Sequence, residues 1–320
     1  MTFPRPRSPF VRLAIWTTAL TYALILVGGL VRASGAGLGC PDWPKCFGSW
    51  IPPLSAAALP PQFEPSQFNA TLMWTEYLNR LLGVTVGFFI LATAVSAWRH
   101  HRRDLHILWP TVAALLLTGY EGWLGGRVVA HELAPWIVTA HLVVAILIVL
   151  LLLYATVYAI YRRSSPIGAR AAAPPRGERA DRSRTATFTT VVSVMIVITL
   201  AQVALGTQVR GSVDDALDAG VPRLEALATV GLVDSGHRTA ALAVMSLALV
   251  SMLVLWSTHP RARVIAQWTY AVVALATAQV GIGAGLALVS LTPSMQVAHL
   301  TLASLLMGAQ MVQLLVARWE

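Results

Sequence analysis

Charge is what this 320-residue chain has little of. Asp, Glu, Lys and Arg make up 12% of it, against roughly 25% in an average soluble domain. That shortage excludes an ordinary soluble globular protein, and a hydrophobic share of 56% excludes a disordered chain, which has too little apolar surface to bury. Cysteine is scarcer still. Two residues, Cys40 and Cys46, are too few for a small disulfide-framed fold. A small-residue cleavage site is also missing after the first apolar run, where Gly28-Gly-Leu-Val-Arg32 stands instead, so that run reads as a retained helix and not as a signal peptide.

What is present is apolar length. Predominantly apolar runs lie at about 13–31, 77–98, 107–127, 136–160, 188–209, 237–257, 264–289 and 294–317, each near the roughly 20 residues that cross a bilayer. The expectation is an all-α integral membrane protein with eight transmembrane helices and both termini on one side. Alternating sides then sorts the charges. The side holding the termini, the loop at Arg99–Arg103, residues 162–187 and the Arg261/Arg263 loop carries 16 Lys+Arg against 4 Asp+Glu, and the opposite side carries 7 against 10. The positive-inside rule makes the basic side the cytoplasm of a cell membrane. The net charge of +9 is thereby an orientation signal, and nucleic acid is not expected as a partner. Membrane lipid is.

Comparing the chain with itself at an offset of 158 residues aligns Glu76 with Asp234, Asn79 with His237, Arg80 with Arg238, Glu121 with Gln279, Gly125 with Gly283, Pro135 with Pro293 and His141-Leu142 with His299-Leu300. Gly28-x-x-Val31-Arg32 aligns with Gly206-x-x-Val209-Arg210 at an offset of 178. An internal duplication with one insertion in the first half accounts for both. The expected organisation is two tandem pseudo-symmetric four-helix bundles: residues 1–161 with an extracytoplasmic loop at 33–75, a cytoplasmic linker at 162–187 rich in Ala, Pro and Arg, and residues 188–320. Because each half has an even number of spans, matched residues share a depth. Asn79, His141, His237 and His299 all fall in the outer leaflet.

Intramembrane polar residues are costly and are site candidates by default. His237 and His299 on neighbouring helices of one bundle can hold heme iron from both faces. The first half pairs His141 with Asn79, a poor iron ligand, so its site looks open on one side. Arg32, Arg80, Arg210 and Arg238 are candidate partners for heme propionates, since guanidinium binds carboxylates in a bidentate fashion. Glu76 shares a helical face with Asn79 and Arg80; it can take a proton beside an incompletely ligated heme, or pair with Arg80. Cys40 and Cys46 suit a small disulfide loop better than a four-ligand zinc site, serving either as a redox relay or as a clasp over the open site.

Taken as a set, Gly28 to Cys46, Glu76-Tyr-Leu-Asn-Arg80, the stretch from Gly125 to His141, Gly206-Thr-Gln-Val-Arg210, His237-Arg238 and Gln296-Val-Ala-His-Leu300 resemble the heme A synthase family. The resemblance implies an eight-helix membrane oxidoreductase that converts the C8 methyl of heme O into the formyl of heme A for terminal oxidases. It implies heme b as cofactor on His237 and His299, the substrate heme on His141 in the first half, Glu76 as the acidic catalytic residue, and Cys40 and Cys46 as the loop cysteines. Heme O is then the substrate, with a heme O synthase and an electron acceptor as further partners and a homo-oligomer left open. Many relatives have His where this chain has Asn79. Two other classes compete with this reading: a diheme electron-transfer cytochrome, and a heme-binding assembly factor without turnover.

Overall fold

A computed structural model describes residues 8–164, 178–258, 262–289 and 291–319. The described residues are all-helical. Eight long helices carry the fold: α1 (Pro9–Ala33), α2 (Ala70–His101), α3 (Leu105–Ala130), α4 (Pro135–Ser164), α5 (Glu178–Asp218), α7 (Leu232–Thr258), α8 (Arg263–Leu288) and α9 (Pro293–Trp319), with the single turn α6 (Arg223–Ala226) between α5 and α7. Their starts follow local chemistry. Ser8 accepts from the Val11 amide ahead of a proline at the first turn of α1, and Asn69 accepts from the Leu72 amide to open α2, each satisfying a donor that a helix end leaves free.

Seven of these helices are long and apolar enough to cross a membrane. The exception is α3, whose 26 residues suffice in length but include Trp109, Pro110, Tyr120 and Glu121, which dilute its hydropathy. Of the eight expected spans, seven meet this measure and α3 does not. Large apolar side chains point outward along the other spans, among them Trp16, Phe88, Val197 and Leu242. An apolar surface on that scale is what lipid requires and water penalises. Two helices outrun their apolar runs. α2 starts seven residues early, at Ala70, and α5 continues to Asp218. α5 also begins at Glu178, so ten residues assigned to the linker by composition are helical; residues 165–177 of that linker lie outside the described residues.

The helices pack as α1–α2–α3–α4, closed by α1 on α4, and as α5–α7–α8–α9, closed by α5 on α9. Between these sets α9 lies against α1 and α4, and α4 against α5. α9 is accordingly the most enclosed span, with 67% of its apolar window buried. Polar rungs tie it in place: Gln310 donates to Thr199 at 2.9 Å and Gln313 to Thr269 at 3.0 Å, hydrogen bonds of the kind that join helices where water is absent. At the α1–α4–α9 seam a Cβ on Gly308 would overlap the Tyr22 hydroxyl and meet Leu153 at 3.1 Å. Gly308→Val should therefore overpack the seam and destabilise the protein by about 1–3 kcal/mol, read as a lowered midpoint of thermal unfolding in detergent.

Candidate functional site

The three intramembrane histidines are held in one repeated way. A Cβ placed on Gly206 of α5 would lie 2.9 Å from His237 Cε1, one on Gly283 of α8 would lie 3.1 Å from His299 Cε1, and one on Gly125 of α3 would lie 3.5 Å from His141 Cε1. Each imidazole thus occupies the space that a missing side chain leaves on the preceding long helix. The fourth position differs. Gly28, aligned with Gly206, has open space beside it, and Asn79 has its Oδ1 buried without a hydrogen bond.

His237 and His299 face each other with ring centroids 6.3 Å apart. Metal–imidazole bonds are about 2 Å, so two rings on opposite faces of one iron have centroids roughly 6 Å apart. His237 Nδ1 lies 3.1 Å from the Gln202 carbonyl, a hydrogen bond that puts the proton on Nδ1 and leaves Nε2 as the nitrogen free to bind a metal. The residues present fit a bis-imidazole heme.

In the first half His141 stands with Glu121. Glu121 Oε1 is 3.1 Å from His141 Nδ1, and neither the carboxyl oxygens nor Nδ1 make an aligned hydrogen bond. The His141 side chain is 40% exposed although its Nδ1 is buried. Cε1 is against Gly125. Glu121 entered the sequence reading only as the counterpart of Gln279; its alignment with a neutral residue beside a matched histidine was the signal.

The arginines separate into three roles. Arg80 has all five donors engaged: Nε and Nη2 on Glu76 Oε1, Nη1 on the Asp42 and Lys45 carbonyls at 2.7 Å each, and Nη2 also on the Cys40 carbonyl at 3.2 Å. Among the described residues Arg80 thus fastens Glu76 to the outer loop. Glu76 is buried and equally committed, its Oε2 accepting from the Cys40 amide at 2.8 Å. Arg32 and Arg210 converge on Asp214 at 3.1 and 2.7 Å. Arg32 Nη1 remains buried without a partner, a donor suited to an added anion. Among the described residues Arg238 pairs with Asp234 alone, at 2.7 Å, and its side chain is half-exposed. It borders a surface cleft of about 540 Å³ lined also by Leu232 and Ala287.

The outer loop is built onto Arg80. Cys40 and Cys46 form a disulfide and are fully buried with Phe47 and Met73. Phe47 takes a left-handed backbone (φ 53°) ahead of Gly48 (φ 74°), a conformation that strains a non-glycine residue. The Asp42 carboxylate accepts from both amides, at 2.6 and 2.8 Å, and Phe63 packs edge-on against the Phe47 ring at 5.3 Å. Trp43 sits under the Arg80 guanidinium, 5.1 Å from ring centre to Cζ, and against Gly126, where a Cβ would overlap its indole. Gly126 adjoins the Gly125 that seats His141, so the loop lies over the His141 site.

Fold and side chains together define a class: a multi-pass helical membrane protein with imidazoles set on glycines inside its bundles. Residues 11–311 match the model of the COX15-CtaA family, described as cytochrome oxidase assembly protein, and the chain belongs to that family. Three curated relatives are named heme A synthase. The one from Sinorhizobium fredii is 29% identical over 221 residues, covering 62% of this chain and 54% of that protein. Two from Rhizobium etli strains are each 27% identical, over 292 residues (76% of this chain, 74% of the relative) and over 310 residues (82% and 77%). The chain thus spans about half the length of the first and three quarters of the other two.

Breaking a buried ion pair by removing one partner costs about 3–5 kcal/mol. Arg80→Leu would in addition strip three loop carbonyls of their donor, so we expect the Cys40–Cys46 bridge to become reducible by mild dithiol in the folded protein. Alkylation and mass measurement would read this, and a bridge as resistant as in the unsubstituted chain would show that the loop does not depend on Arg80.

Proposed function

We propose that this chain is a heme A synthase, an oxidoreductase of the membrane that converts the C8 methyl of heme O into the formyl of heme A. The observation that carries the reading is the asymmetry between two matched sites: an imidazole pair at 6.3 Å in α7 and α9, and a single imidazole, His141, opposite Asn79 in the other half. The first set of residues is suited to a resident cofactor that stays bound. The second is suited to a heme that arrives, is altered and leaves.

In this account the chain consists of two tandem four-helix units, 1–161 and 188–320, with α3 as the eighth span and both termini cytoplasmic. The closed packing α1–α2–α3–α4 repeated as α5–α7–α8–α9 supports it, as does the repeated seating of histidines on aligned glycines. His237 and His299 would hold heme b, with Arg238 and Arg210 near its propionates. Bound there, heme b supplies one-electron redox chemistry. His141 would orient the substrate heme by its iron, and Arg32, through its unpaired Nη1, would bind a propionate. Asn79 would offer a weakly ligating amide where the second half has an imidazole. Conversion of a methyl to a formyl takes two successive hydroxylations and loss of water, so the first site must admit a reacting species beside the heme while holding bulk water off. Glu76 and Arg80 serve by fastening the disulfide loop across the outer end of the site, where Trp43 rests on α3.

A second reading, a heme-binding assembly factor without turnover, follows from the family's description. One experiment separates the two. Expressed with a heme O producer, the protein should convert heme O to heme A by mass analysis of extracted hemes, and His237→Ala and His299→Ala should each abolish the low-spin heme spectrum and conversion. Heme O persisting unchanged with folded, heme-loaded protein would overturn the enzymatic reading. Asn79→His should give the first site a second imidazole and slow conversion about 10-fold or more, since an interaction that closes the reacting face raises the barrier by at least about 1.4 kcal/mol; heme A yield over time measures it.

A further inference from the structure

Glu121 is a buried carboxyl group for which the proposed reaction has no use so far. Among the described residues its only ion-pair partner is His141, and both its oxygens are buried without aligned hydrogen bonds. An acidic side chain inside a span with no Lys or Arg beside it is expensive and marks a function. Its placement is specific. Glu121 lies one turn before Gly125 on α3, so the carboxyl group and the glycine that seats the His141 ring share a helical face. The second half repeats this arrangement with an amide: Gln279, also buried, lies one turn before Gly283, which seats His299.

The two halves therefore differ twice at aligned positions. Relative to the second half, the first lacks an imidazole on α2, where Asn79 replaces the counterpart of His237, and has a carboxyl group behind the imidazole on α4. Where a ligating histidine turns its outer nitrogen to a carboxylate, the tautomer and ring orientation are fixed and the ligand becomes a stronger donor to the metal. Glu121 Oε1 is already 3.1 Å from that nitrogen, which leaves Nε2 as the ring nitrogen for a metal.

We infer that Glu121 is the positioning residue of His141: it takes the Nδ1 hydrogen, presents Nε2 to the iron of the substrate heme, and makes this single imidazole a stronger axial donor than either ring of the His237–His299 pair. The inference rests on the reading that His141 is the substrate-heme ligand. It explains why the half that lost one imidazole holds a carboxyl group where its counterpart holds an amide. A heme held from one face needs its one bond fixed in direction, and electron donation from that side favours chemistry at the open face.

The test uses the full-length protein loaded with heme b and titrated with heme O. Glu121→Gln, which copies the second half, should weaken heme O binding roughly 10- to 100-fold, the usual loss when such an outer partner is removed. It should also raise the reduction potential of the first-site heme and lower its iron–imidazole stretching frequency in resonance Raman spectra, with the second site unchanged. The reciprocal Gln279→Glu should lower the potential of the heme b site. His141→Ala separates the failures. If it abolishes heme O binding while Glu121→Gln leaves affinity, potential and stretching frequency as in the unsubstituted protein, His141 is the ligand and the inference about Glu121 is wrong. If it leaves heme O bound with an unaltered spectrum, the ligand assignment falls and this inference with it. Should Glu121→Gln fail to fold, Gln279→Glu decides: an unchanged heme b potential overturns the claim that a carboxyl group at this position tunes the imidazole.

Discussion

A histidine inside a bilayer span must find both room and polar company among its neighbouring helices, because the hydrocarbon offers neither. Here the room comes from glycine. His237 rests on Gly206, His299 on Gly283 and His141 on Gly125, each ring entering the groove of the preceding long helix where a Cβ would stand. A glycine in a helix interior gives up about 1 kcal/mol against alanine, and three such positions are retained where they set the imidazoles. The closeness of α5 to α7 and of α8 to α9 at these points brings the two rings of the second half to 6.3 Å. Where the pattern lapses, at Gly28 and Asn79, the site is left with one imidazole.

The outer face imposes the next constraint. In the first half the arginine that follows the ligand position, Arg80, is turned into a hub for the disulfide loop, binding Glu76 and three backbone carbonyls. In the second half the aligned Arg238 has one partner, Asp234, and remains available. One insertion has thereby changed the duty of a duplicated residue. The halves are joined on this side by Asp214, which receives Arg32 from α1 and Arg210 from its own helix, and nearer the core by Thr139 and Thr207, 2.5 Å apart between α4 and α5. Thr139 lies two residues before His141 and Thr207 directly after Gly206, on which His237 rests.

Much of this was legible in the sequence for a physical reason: apolar runs must match bilayer thickness, and a duplication displays its costly residues twice. All eight runs fall on long helices, and the aligned histidines each rest on an aligned glycine. What was not legible depended on where loops return. Nothing in Glu76-Tyr-Leu-Asn-Arg80 says that the Asp42, Lys45 and Cys40 carbonyls will converge on Arg80. Asp214 was passed over because α5 continues as a helix past its apolar run. Glu121 was seen as one half of an aligned pair, but its meaning required knowing that the turn before Gly125 faces His141. The reduced hydropathy of α3 has the same origin, since a helix that must carry Glu121 cannot also be uniformly apolar.

The account stands on the inequality of the two sites. Heme stoichiometry and iron spin state in the purified protein, by pyridine hemochrome and electron paramagnetic resonance, test it most directly. The account predicts one low-spin, bis-imidazole heme per chain that resists removal, and a second heme, bound after addition of heme O, with the high-spin signal of a single axial histidine. Two low-spin bis-imidazole hemes, or no second heme at any concentration of heme O, would contradict it.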